Sequence, residues 1–286
     1  MINIEHLNYV YQPDMPFETA ALTDINLEIE TGDFVALIGH TGSGKSTLIQ
    51  HLNALIKPTS GRIEIDGCDI TAPDADIKLI RKNVGLVFQY PEHQLFEETV
   101  FKDIAFGPTN MELSESEIKT CVLSAAESVG IGEELLEKSP FELSGGQKRR
   151  VAIAGVLAMN PKILILDEPT AGLDPHGRDA ILGLLKKIYS EDNNKTVIFV
   201  SHSMEDVARL AKHVIVLSHG RVAMKGTVGE VFSQSKKLAE TGLKVPQITS
   251  LVHKLIERGI DLPSDIYTID RAEEILTKKL REVRHD

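Results

Sequence analysis

Apolar and polar residues alternate through much of the first thirty positions. The stretches are Ile2-Asn3-Ile4-Glu5, Leu7-Asn8-Tyr9-Val10-Tyr11 and Leu22-Thr23-Asp24-Ile25-Asn26-Leu27-Glu28-Ile29. A period of two sends successive side chains to opposite faces, so these stretches predict half-buried antiparallel strands. Pro13 and Pro16 mark a loop between them. Arg62-Ile63-Glu64-Ile65-Asp66-Gly67 repeats the alternation after the turn Pro58-Thr59-Ser60-Gly61. Four other runs are apolar almost throughout: Phe34-Val35-Ala36-Leu37-Ile38, Val84-Gly85-Leu86-Val87-Phe88, Ile163-Leu164-Ile165-Leu166 and Val197-Ile198-Phe199-Val200. Such runs suit strands covered on both faces.

From Gln89 to about Met159 the spacing becomes mainly helical. Ser114 and Glu117 form a capping-box pattern ahead of the stripe Ile118, Val122, Ala125, Ala126 and Val129. Asp174-Pro175 is a cap followed by proline at the first helical position, and the stripe Ile181, Leu184, Leu185 and Ile188 follows. Residues 214–217 and 221–224, joined by His219-Gly220, predict a hairpin, and Thr227 with Glu230 predicts another capped helix. Strands alternating with helices predict a mainly parallel α/β sheet.

Residues 233–237 are polar and linker-like. Beyond them, Ile248, Leu251, Val252, Leu255 and Ile256 form one apolar helical face, stopped by Gly259. A second helix is expected after Asp270, with Glu273 completing a cap and Ala272, Ile275, Leu276 and Leu280 as its stripe. These faces need cover, from the main domain or from another subunit.

The strand at 34–38 runs into Gly39-His40-Thr41-Gly42-Ser43-Gly44-Lys45-Ser46-Thr47 and then into helix-favouring residues. Glycine, four residues, then Gly-Lys-Ser between strand and helix is the P-loop pattern. Its glycines let backbone amides approach phosphate oxygens, the helix start adds positive potential, Lys45 adds a full charge, and the Ser46 hydroxyl suits Mg²⁺. The loop is expected to bind a nucleoside triphosphate. The strand at 163–166 ends in Asp167-Glu168. Beside a P-loop, Asp167 suits Mg²⁺, directly or through water, and Glu168 suits the attacking water. Leu143-Ser144-Gly145-Gly146-Gln147 leaves glycine amides free for an anion, with a helix expected from Lys148 onward.

Composition narrows the class. The 286 residues are 42% apolar and 26% charged, an ordinary globular balance. The formal net charge of −11 lies wholly in the first 229 residues and disfavours a nucleic-acid partner. Cys68 and Cys121 stand far apart and fit a reducing cytosol without disulfides. Nothing at the N-terminus resembles a signal peptide. No apolar run approaches the roughly 18 residues that span a bilayer, so any membrane role is expected to come through a partner.

The P-loop, the Asp-Glu pair and Leu143-Ser144-Gly145-Gly146-Gln147, twenty residues ahead of that pair, together resemble an ATP-binding-cassette (ABC) ATPase over about residues 1–232. The resemblance implies an α/β P-loop NTPase core with an antiparallel β subdomain, a helical subdomain at about 90–159 and a small C-terminal helical extension, 233–286, for ATPase pairing. It implies that Gln89 senses Mg²⁺ and the attacking water, so that Ser46, Gln89 and Asp167 form the metal set. Glu168, Gln89 and His202 would be the catalytic group, with His202 at the γ-phosphate. Residues 39–47 would bind ATP. Tyr11 would stack on adenine, with an ordinary strand tyrosine as the competing reading. Ala171-Gly172-Leu173-Asp174 resembles the loop that crosses to the opposite subunit. Ser144, Gly145, Gly146 and Gln147 would serve the nucleotide of a second cassette stacked head to tail. No main family motif is broken, so an active ATPase is expected.

Tyr90-Pro91-Glu92-His93-Gln94-Leu95-Phe96-Glu97, the run Thr99 to Pro108 and the run Lys148 to Gly155 resemble the ATPase subunits of energy-coupling factor (ECF) transporters, relatives of cobalt importer ATPases. Leu95 and Phe96 either anchor a membrane partner's helix or pack inside the helical subdomain. The resemblance implies a peripheral protein on the cytoplasmic face of the cell membrane. Its partners would be a second similar ATPase, a transmembrane coupling subunit and a small membrane protein that captures a vitamin or other micronutrient. Cobalt, nickel or amino-acid importers are the alternative within transport. A soluble ABC ATPase of repair or translation is expected to carry long coiled-coil insertions or two cassettes in one chain.

Overall fold

A computed structural model describes residues 1–13 and 15–283, the side chains of 280–283 excepted. In chain order the first half forms β1 (Ile2–Tyr11), β2 (Thr19–Ile29), β3 (Phe34–Ile38), α1 (Lys45–Leu52), β4 (Ser60–Ile65), β5 (Cys68–Asp69), α2 (Ile77–Asn83), β6 (Val84–Val87), α3 (Val100–Asn110) and α4 (Glu115–Ser128). Then come α5 (Gly145–Leu157), β7 (Ile163–Asp167), α6 (Pro175–Glu191), β8 (Thr196–Val200), α7 (Met204–Leu210), β9 (His213–Ser218) and β10 (Arg221–Thr227). Four helices close the chain: α8 (Val228–Ser233), α9 (Ser235–Glu240), α10 (Gln247–Glu257) and α11 (Ile269–Val283).

The alternating stretches make an antiparallel sheet of order β2-β1-β4-β5. The four apolar runs and the hairpin strands β9 and β10 make a six-stranded sheet of order β10-β9-β3-β8-β7-β6, parallel except for β10. Strand β3 shows why its run lacks polar residues. Phe34, Ala36 and Ile38 enter the core shared with the helices, while Val35 and Leu37 enter the core under the antiparallel sheet and α1. Both faces are covered, as continuous apolar runs require.

Several expectations change. The stretches at 2–5 and 7–11 are one strand, β1, kinked by an irregularity between Ile4 and Leu7 where His6 has φ 49°. The linker-like 233–237 runs into helix α9, held by the fully buried Leu238. One anchoring leucine in a polar segment left no periodic signal. Helix α2, capped by Asp76, was not foreseen either. Helix α5 starts at Gly145 rather than Lys148, with Ser144 as its cap. Helix α11 starts at Ile269, so Asp270 lies in its first turn instead of capping it.

The apolar faces of α10 and α11 cover each other. Val252, Leu262, Ile266 and Ala272 form a small separate core, with Ile248, Leu255, Ile256, Ile275 and Leu276 packed on it. Leu251, expected on that face, is 48% exposed. The Leu280 side chain lies outside the described residues.

Candidate active site

The parallel register brings four strand ends to one edge. Leu37 of β3 and Asp167 of β7 both pair with Val200 of β8, and Val87 of β6 pairs with Leu166. The residues just past these ends are the loop 39–44, Gln89, Glu168 and His202. This is the carboxyl edge at which open α/β sheets bind ligands.

Gly44 precedes α1 with φ 101°, and its cap position supplies no side-chain bond to the helix. The first amides of α1 are therefore free for an anion. A Cβ on Gly44 would stand 2.6 Å from the Ala21 carbonyl oxygen, so only glycine fits. The Ser43 hydroxyl, fully buried inside the loop, has no hydrogen-bond partner among the described residues. A seated phosphate would supply one. Lys45, 5% exposed, donates from Nζ to the carbonyls of Gly39 (2.8 Å) and His40 (3.0 Å). Burial pulls its pKa down, while the carboxylates of Glu168 and Asp167 oppose that pull. His40 turns Nδ1 to the Thr41 carbonyl at 2.8 Å, and its ring sits 5.1 Å from that of His219.

Ser46 Oγ donates to Asp167 Oδ2 at 3.1 Å. Burial raises the Asp167 pKa, and the Ser46 bond works against the rise. The Ser46 hydroxyl and the Asp167 carboxylate are oxygen donors of the kind Mg²⁺ prefers. Glu168, at φ 49°, is held from two sides. Gln89 Nε2 donates to its Oε2 at 3.0 Å, and His202 Nε2 lies 2.9 Å from its Oε1. Ser46, Gln89 and His202, far apart in sequence, thus meet around one carboxylate pair.

The remaining predicted residues sit elsewhere on the surface or at the rim. Tyr11, 40% exposed, approaches the loop helix through its hydroxyl, 3.1 Å from Thr47 Oγ1. Ser144 and Gln147 bond reciprocally, Gln147 N to Ser144 Oγ and Ser144 N to Gln147 Oε1. That box keeps the first turn of α5 in shape. Gly145 and Gly146 are exposed, and a Cβ on either would touch nothing within 4 Å. Asp174 caps α6 by accepting from Gly177 N at 2.6 Å. Among the described residues, no hydrogen bond joins Ser144–Gln147 or Asp174 to the Lys45–Glu168 cluster.

Sequence reasoning missed the buried charges of Arg149 and Asp206 and the half-buried Asp103. Arg149 is bonded to Glu92, and Asp206 accepts from Thr170 and Arg178. Asp103 accepts from the Phe96 and Glu97 amides through Oδ1, while its buried Oδ2 is unpartnered. The available signal was helical spacing: Arg149 stands four before the buried Ile153, on the inward side of α5. Of the Leu95–Phe96 pair, Leu95 packs against the core and Phe96 is 60% exposed. Phe96 and Phe106 meet edge to face at 5.1 Å in a groove of about 1150 Å³, which Leu79, Phe88, Asp103 and Met159 also line.

The ABC transporter family pattern matches residues 22–171. The chain is 57% identical to the energy-coupling factor transporter ATP-binding protein EcfA2 of Caldanaerobacter subterraneus subsp. tengcongensis, over 98% of each chain. A solved cbiO1 of Clostridium perfringens, described as part of the ABC transporter complex cbiONQ, superposes with a TM-score of 0.74 at 42% identity, covering 88% of this chain and 98% of that one. A dimeric ATP-binding cassette in a post-hydrolysis state, bound to ADP and phosphate, superposes with a TM-score of 0.70 at 32% identity, covering 80% and 99%.

Proposed function

The chain belongs to the ABC transporter family, and from that premise we propose that it is the ATP-hydrolysing subunit of an ECF-type importer, driving uptake of a vitamin or other micronutrient. The observation that carries this reading is the convergence of Lys45, Ser46, Gln89, Asp167, Glu168 and His202 at one sheet edge. In this reading the free amides of residues 45–47 and the Lys45 ammonium bind the phosphates of ATP. Tyr11 stacks on the adenine. Ser46, Asp167 and Gln89 would hold Mg²⁺, which when bound neutralises charge on the outer phosphates.

Glu168 accepts a proton from water as its oxygen attacks the γ-phosphorus; the bond to the β,γ-bridging oxygen breaks, leaving ADP and phosphate. Gln89 and His202 fix the Glu168 carboxylate, and His202 stands ready for the γ-phosphate. The rate gain comes from position and charge rather than from a covalent intermediate. Ser144–Gln147 project from the start of α5 toward a second cassette, so two chains complete each other's sites. ATP holds the pair closed, and loss of the γ-phosphate releases it.

Among the described residues no helix is long and apolar enough to cross a membrane. Coupling therefore runs through a transmembrane subunit whose helix seats in the groove beside Phe96, with the capture protein beyond it and this chain at the cytoplasmic face. The phenylalanines offer apolar anchors. The test is to purify the membrane complex through a tag on this chain. A second ATPase and integral membrane chains are expected; recovery with nucleic acid or ribosomes, or without any membrane chain, contradicts the reading.

A further inference from the structure

Arg149 is the largest fully buried side chain of the fold, 1% exposed, on α5 five residues past Ser144. Its guanidinium grips two segments at once. Nε donates to Glu92 Oε2 at 2.9 Å and Nη2 to Glu92 Oε1 at 2.6 Å, a bidentate fork. Nη1 donates to the carbonyls of Pro169 (3.1 Å) and Ala171 (2.8 Å), just past Glu168. Between those carbonyls the Thr170 hydroxyl donates to Asp206 Oδ2 at 3.0 Å, on the helix that follows His202. The segment behind Glu168 is thus held from both sides.

Glu92 lies in the 3₁₀ turn Pro91–Gln94, three residues past Gln89 and directly ahead of Leu95 and Phe96 in the groove wall. Burial works to raise its pKa, and the Arg149 bonds overcome that and hold it below the ordinary carboxylate value. A buried charge left without its partner is expensive, so the two side chains travel together. Val151, Ile153 and Ala154 seat α5 in the helical core, so Arg149 belongs to a firmly packed helix.

We propose that the Glu92–Arg149 pair is the positioning link that transmits docking in the groove to hydrolysis, by setting the start of α5 and the segment behind Glu168. The inference rests on the transporter reading above. A helix pressing on Phe96 displaces the 91–94 turn; Glu92 pulls Arg149; Ser144–Gly146 and residues 169–171 shift with it. Neither side chain touches nucleotide.

The test uses the complete membrane complex carrying Glu92→Gln, which keeps the shape and loses the charge. Arg149→Lys, which keeps the charge and loses the fork, is the second variant. Assembly with the membrane subunits and KM for ATP are expected to stay within about twofold of the unmodified complex, while kcat falls by about tenfold or more. An unchanged kcat in Glu92→Gln overturns the proposal. A rise in KM or a loss of nucleotide binding that parallels the kcat loss also overturns it, because the pair then serves only the fold. If the unmodified chain recovers no membrane subunit, the transporter reading itself has failed.

Discussion

At Gly44 the backbone leaves no choice of side chain. Its φ of 101° is strained for any residue with a Cβ, and that Cβ would meet the Ala21 carbonyl at 2.6 Å and Leu22 Cδ2 at 2.8 Å. Gly44→Ala must therefore shift the loop whose amides face the phosphates. The expected outcome is a fall of about tenfold or more in ATP affinity, measured by nucleotide titration, in a chain that still folds. Lys45, Asp167 and Glu168 were legible in the sequence because their chemistry depends on neighbours along the chain, a fixed spacing after an apolar strand. Arg149 and Glu92 were not. They lie 57 positions apart, and only the packing of α5 against the 3₁₀ turn turns two surface-type residues into a buried pair.

Elements show the same division. Strands β3, β6, β7 and β8 were readable because burial on both faces excludes polar residues over a short run. The capped helices α4, α6 and α8 were readable because their caps are local. Helix α9 was not, since a single buried leucine holds it. Nor was the mutual cover of α10 and α11 legible, because two amphipathic stripes do not say what they face. Leu262 and Ile266, in the connection between them, complete that core. Val252→Ala should remove about 2 kcal/mol from this unit alone. Hydrogen exchange should show faster exchange in α10 and α11, with nucleotide binding unchanged. Equal protection before and after the change would mean that the unit draws its stability from elsewhere.

On the scale of the whole molecule the proposed reading makes the site one half of a pair. Each strand end contributes to the nucleotide pocket, while the start of α5 and the 171–174 loop stand on the surface without a bond to it. In the proposed reading the donor set is completed only by pairing, and the output is the opening and closing of that pair. The groove beside Phe96 lies one salt bridge from the start of α5. On the proposed link, nucleotide state and partner docking act on the same few residues. The central claim, that Glu168 drives hydrolysis within an ATP-held pair, is tested most directly by Glu168→Gln in the purified membrane complex. ATP affinity should be kept, turnover should fall on the order of 100-fold or more, and the ATP-bound closed pair should accumulate. Turnover equal to that of the unmodified chain would contradict the account.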